Sequence, residues 1–236
     1  MLNQISWSRS IALSLLVLLV AVSGATGSVH AAGSYEEVVF EGSEATVGAS
    51  PDPTDESNKF KLFNGGISWP AWSTVEFTMV GMPAEFEDDV LAAVATLEAL
   101  MPGTTFTRND GTTQLNPCTG QPNSISWLQA DGPSAAACFN TASKDISGFR
   151  MALDLDEPWA TDGSAFSVDV QGVATHEMGH AVGIDHTNAP ASACLTMCKF
   201  SSLGETQKRT LGLGDKLGME ALYGSGDTTP GPGCGN

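Results

Sequence analysis

The stretch HEMGHAVGIDH, from His176 to His186, restricts what this chain can fold into more than anything else in it. On a helix, residues four apart stand about one turn apart on the same face, so His176 and His180 can aim their imidazoles at one ion. Glu177 is the next residue round. Its carboxylate flanks such an ion instead of ligating it, where it can take a proton from an activated water. A site with three protein ligands and one open position needs a third ligand, and His186 supplies it if the helix stops first. Gly183 permits the stop, because without a Cβ it can adopt positive φ and let the chain turn back. The spacing therefore demands a helix, a break at Gly183 and a reversal. The chain has four histidines, and the fourth, His30, lies in a segment expected to be removed, so every histidine of the mature chain is in this stretch. Accidental register of these identities is expected on the order of once in 10⁵ such sequences.

The N-terminus reads as an export signal. Arg9 precedes the apolar run Ile11 to Val22, and small residues lead to a cleavage site after Ala31. The run is well short of the ~20 residues that cross a bilayer as a helix, so no stable membrane association is expected and the mature protein should be extracellular. The 27 acidic residues all follow Ala31 and give the chain a formal charge of -17. Such a surface repels phosphate backbones and excludes nucleic acid as a partner class. Five cysteines downstream of the signal suit an oxidising compartment. Cys118 with Cys138 and Cys194 with Cys198 are the simplest local pairs. Cys234 is then left over, and a bridge from it to any of the others stays open.

Residues 1–31 are thus assigned to the signal peptide and 32–60 to an acidic flexible segment or short propeptide. Residues 61–223 form the folded domain, and 224–236, rich in Gly and Pro, a flexible tail. Within the domain, near-alternation of Trp69, Trp72, Val75, Phe77 and Met79 predicts a strand over Ile67 to Met79. Phe86, Val90, Val94, Leu97 and Met101 recur at helical steps until Pro102-Gly103 ends the pattern. Further strands are expected at Thr104 to Arg108, at Ile125 to Gln129 and at Phe149 to Asp156. Helices are expected at Ser167 to Gly183 and Leu211 to Tyr223.

HEMGHAVGIDH followed by Thr187 resembles the zinc signature of the metzincin peptidases, and within them is most similar to the matrixins. The Trp-Pro pair at 69 and 70, the helix and TTFTR strand that follow, and the closing GLGDKLGMEALYG are similar to the matrixin plan. The resemblance implies an α+β zincin fold, with a twisted, mostly parallel sheet, three main helices and a small C-terminal subdomain. It implies a secreted zinc metalloendopeptidase, with His176, His180 and His186 as ligands of one zinc ion and Glu177 as general base. Met197, in CLTMCKF, matches the methionine turn, an apolar floor beneath the ligands. The strand at Phe149 to Asp156 resembles the edge along which a peptide substrate lies extended. Asp154, Asp156, Glu157, Asp162 and Asp169 offer oxygen ligands for calcium, beside the plainer reading of scattered solvated acids.

This sequence also departs from the family pattern. No cysteine precedes Cys118, so the cysteine-bearing latency segment of animal matrixins is absent. No histidine is left for a second, structural zinc. The chain is expected to be a monomer. The alternative to an enzyme is a secreted zinc- or protein-binding module on an inactive metzincin fold, and the intact Glu177 argues against it.

Overall fold

The computed structural model describes residues 34–41, 60–187, 195–199 and 201–229. The expected signal peptide, most of the acidic segment, Cys194 and Cys234 lie outside them. The described elements fall in one compact unit that begins at Gly33. In chain order they are β1 (Tyr35–Glu41), β2 (Lys61–Leu62), β3 (Thr74–Val80), α1 (Ala84–Glu98), β4 (Thr105–Arg108), β5 (Ser124–Leu128) and β6 (Ser134–Asn140). There follow β7 (Ile146–Asp154), β8 (Trp159–Ala160), β9 (Val168–Asp169), α2 (Val170–Ala181), β10 (Ile184–Asp185) and α3 (Leu213–Tyr223).

Six strands make the main sheet, in the order β1-β6-β7-β5-β3-β4. The pairs β7/β5, β5/β3 and β3/β4 are parallel, and the two involving β6 are antiparallel. This is the mixed, mostly parallel sheet with three helices that the α+β expectation described. Its core forms where α1 and α2 cover one face. Val90, Val94 and Leu97 of α1 and Ala174, Met178 and Ala181 of α2 meet Phe77, Ile125, Phe149 and Leu153 from the strands. The helical steps read along α1 are the steps that become buried.

The sheet departs from expectation at several places. The strand predicted from Ile67 starts only at Thr74, because Pro70 ends pairing and the turn at Ala71-Trp72 places Trp72 at φ 65°. Ser68 makes a single bridge to Asp145 instead. Helix α2 starts at Val170, three residues later than expected, because Asp169 accepts the Gly172 amide at 2.7 Å and caps the helix there.

The correction that matters most for function concerns Phe149 to Asp156. Most of this segment lies in β7, which pairs with β5 on one side and β6 on the other. A strand with both edges taken cannot receive a peptide. The next strand on that side is β6, which carries no strand signature in sequence, since SAAACFN is buried on consecutive residues and rich in alanine. The segment 32–60, expected to be flexible, contains β1, whose residues pair with β6 over seven positions. Tyr35, Val38 and Val39 supply the aromatic and β-branched character that makes pairing favourable.

Candidate metal centre

Helix α2 carries His176, Glu177 and His180 on its buried side. Ala181 is its last residue and Gly183 has φ 104°. A Cβ at Gly183 would stand 2.1 Å from the Ile67 carbonyl oxygen, so glycine is required both for the backbone angle and for the approach. The freed end of α2 is satisfied from elsewhere in the chain. Trp69 Nε1 donates to the Ala181 carbonyl at 3.1 Å, and the Tyr223 hydroxyl donates to the Val182 carbonyl at 2.7 Å while accepting the Trp69 amide at 3.1 Å. Beyond Gly183 the chain reverses into β10, which pairs with β2 and is held by a Lys61–Asp185 ion pair at 2.5 Å. His186 is thereby delivered to the other two histidines.

The Nε2 atoms of His176 and His180 lie 3.0 and 3.1 Å from Nε2 of His186. Those spacings are close to the edge of about 3.3 Å expected for nitrogens placed tetrahedrally around zinc. The tautomers are fixed by carbonyl partners. His176 Nδ1 donates to the Thr196 carbonyl at 2.6 Å and His180 Nδ1 donates to the Ile184 carbonyl at 2.8 Å. A carbonyl only accepts, so both Nδ1 atoms carry the proton and both Nε2 atoms present lone pairs. His186 can donate to one of them at most, which leaves lone pairs facing each other. A cation at the convergence point resolves that repulsion, and neutral imidazole is the donor that zinc takes. Burial holds the three imidazoles neutral: His176 lies well below its ordinary value, His180 falls to about 3 and His186 is also lowered. The residues present fit zinc. Among the described residues, no other group of three or more His, Cys, Asp or Glu side chains converges in this way.

Glu177 is buried and its Oε2 has no partner. Burial pushes its carboxyl up to about 8, against the opposing pull of the Lys208 ammonium. Lys208 is itself buried and donates to the Cys198 carbonyl. One turn before His176, a cleft of about 190 Å³ opens between α2 and the later chain, lined by Val168, Val173, Leu203, Glu205 and Lys208 among others. Ser201, Ser202, Leu203 and Glu205 form its wall opposite α2.

Met197 is fully buried under α2. A Cβ on Gly179 would fall 2.3 Å from its Sδ, so the glycine inside HEMGH makes room for the thioether between the two helical histidines. The Met197 turn is tied to the site at both ends. Thr187 donates its amide to the Met197 carbonyl at 2.9 Å, and Asp215 of α3 accepts the amides of Thr196, Met197 and Gly212 at 2.6, 3.1 and 2.9 Å. Burial raises the Asp215 carboxyl to about 6 despite those three donors.

The structure thus brings His176, Glu177, His180, His186, Gly183 and Met197 together. Sequence reading did not single out Asp215, Thr196, Gly179 or Lys208. Asp215 looked like any acid in the first turn of a helix, and a carbonyl such as that of Thr196 has no sequence signal at all. Cys118 and Cys138 form a disulfide, as the local pairing predicted. The Cys194–Cys198 pairing lies partly outside the described residues. Four of the five acids considered for calcium are engaged separately: Asp154 accepts the amides of Ala130, Gly132 and Asp156, Asp162 takes Ser164, Asp156 takes Gln129, and Asp169 binds Arg209.

Residues 72–224 match the family profile of the matrixin peptidases. This chain belongs to the matrixin family. Matrixins are zinc metalloendopeptidases as a class, and similar proteins include metalloendoproteinase 4-MMP of Arabidopsis thaliana, 35% identical over 80 residues, 32% of this chain and 22% of that one. Human matrix metalloproteinase-16 is 37% identical over 85 residues, 34% of this matrixin and 13% of the relative. Human matrilysin is 33% identical over 94 residues, 40% of this matrixin and 34% of the relative. The matched segments therefore span from 13% to 34% of these curated relatives. Among solved structures, myroilysin aligns over 69% of this matrixin and 97% of its own chain, at 15% identity and a TM-score of 0.42.

Proposed function

We propose that this matrixin is a secreted zinc-dependent endopeptidase in which His176, His180 and His186 hold one zinc ion and Glu177 is the general base. The observation that carries the reading is the convergence of three imidazole Nε2 atoms, on a helix whose Glu177 is buried with one carboxyl oxygen unpartnered. Zinc, when bound, polarises the scissile carbonyl and makes water a nucleophile near neutral pH. Glu177 takes the proton from the attacking water and passes it to the leaving amine. The carbonyls of Thr196 and Ile184 keep the ligands in the required tautomer, and Met197 with Gly179 fixes the floor on which both helical histidines rest. Secretion rests on the N-terminal sequence, and among the described residues no helix is long and apolar enough to cross a membrane.

Replacing Glu177 with Ala should leave zinc at about one per chain and lower casein or peptide cleavage by about 10² to 10⁴-fold, the range of a general base. Full activity in that variant would remove Glu177 from its role. Bound zinc with no chelator-sensitive cleavage by the parent protein would favour the binding module instead.

A further inference from the structure

The outer strands of the main sheet are β1 and β4, and β1 covers the strand that lies beside the metal-site helix, β6. Helix α2 packs under β6 and β7, and Ala135, Ala137 and Phe139 of β6 share a core with Ala174, Met178 and Ala181 of α2. At the other end, β4 lies against α1. An extended peptide that joins the sheet alongside His176, Glu177 and His180 must therefore pair with the outer edge of β6. That edge carries β1.

Strand β1 runs antiparallel to β6 from Tyr35 opposite Asn140 to Glu41 opposite Ser134. The pairing continues at Ser34, whose carbonyl accepts the Thr141 amide at 3.0 Å. Side chains hold it thinly by comparison. Val38 packs against the core and Glu37 pairs with Arg150 of β7, while Tyr35 and Val39 are 47% and 59% exposed. The attachment is mainly through the backbone, as for a peptide ligand on a sheet edge.

We propose that Tyr35–Glu41 is a built-in competitor that fills the peptide-receiving edge of β6 and restrains cleavage. The proposal rests on the peptidase reading of the metal centre. Each amide and carbonyl along the edge serves one strand at a time, so a substrate must displace β1. A tethered competitor acts at an effective concentration of around millimolar, and its presence raises KM while leaving kcat unchanged. No cysteine is required, which suits a chain without one upstream of Cys118.

The test uses the full, zinc-loaded chain and two variants. In the double variant Val38→Pro, Val39→Pro, neighbouring amides point to opposite sides of the strand, so one proline removes a donor to β6. In Glu37→Arg, a cation faces Arg150 and the ladder is left chemically intact. A fluorescein-labelled SYEEVVFE peptide, the sequence of residues 34–41, is titrated by anisotropy, and cleavage of a quenched casein-derived peptide is followed in parallel. Both variants should bind the labelled peptide roughly tenfold or more tightly than the parent, with KM lower by a similar factor and with kcat and zinc content unchanged. Equal peptide binding by the parent and by Glu37→Arg, with the parent's circular dichroism retained, overturns the competitor while leaving the peptidase reading intact. Tighter peptide binding without cleavage by any form overturns the peptidase reading and leaves the edge assignment standing.

Discussion

Gly183 combines two demands that no other residue meets. Its φ is 104° and its missing Cβ admits the Ile67 carbonyl oxygen. Gly183→Ala should destabilise the fold by roughly 2 to 4 kcal/mol, since a strained backbone angle and a backbone clash add, and denaturant titration measures it. Zinc affinity should fall with it, because His186 is placed by the same turn. Asp154 makes a different kind of contribution. Amides of Asp156, Gly132 and Ala130 hold its carboxyl below the ordinary value of 3.8. A carboxyl lowered in the folded state adds stability above its unfolded pKa, and that stability is lost as the pH falls through the folded value. The melting temperature of Asp154→Asn should therefore lie below that of the parent at pH 7, and the gap should close as the pH drops below about 4. The residues of the centre itself were legible because chemistry fixes their types and spacing: imidazoles four apart, a carboxyl between them, a glycine before the third imidazole. Their supports were not. Asp215 acts through three amides and His176 is oriented by the Thr196 carbonyl, and main-chain partners leave no trace in residue identity.

Helices α1 and α3 could be read because each buries one stripe at helical period, α2 from the spacing of its histidines, since it is buried all round from Ala174 to Ala181, and β3 because Val75 and Phe77 alternate with half-buried or exposed residues. Strand β6 could not, since burial on both faces erases the alternation that marks a half-buried strand. The result was a misplaced edge, with β7 taken for the outer strand. The Cys118–Cys138 disulfide belongs to this element scale, because Cys138 lies within β6 and Cys118 in the loop that precedes β5. Its residues are 20 apart, and a closure of that size contributes about 3 kcal/mol on the chain-entropy account. Replacing both cysteines with Ser should lower stability by about that amount in urea unfolding. The larger loss of amide protection should fall on β6 and its neighbours, measurable by hydrogen exchange.

At the scale of the whole molecule, the end of α2 is fastened by residues from two distant parts of the chain. The Tyr223 hydroxyl joins the Val182 carbonyl to the amide of Trp69, a residue 154 positions away in sequence. A contact that spans so much chain pays its loop-closure entropy late, after the sheet and α1 have formed locally. The latch should thus be absent from the folding transition state. Tyr223→Phe leaves a buried donor and acceptor unpaired at a cost of about 1 to 3 kcal/mol, and nearly all of it should appear as faster unfolding, with the refolding rate unchanged in stopped-flow traces. Where proteases are present, the quantity such a latch sets is residence time: how long each molecule stays closed before it opens far enough to be cut.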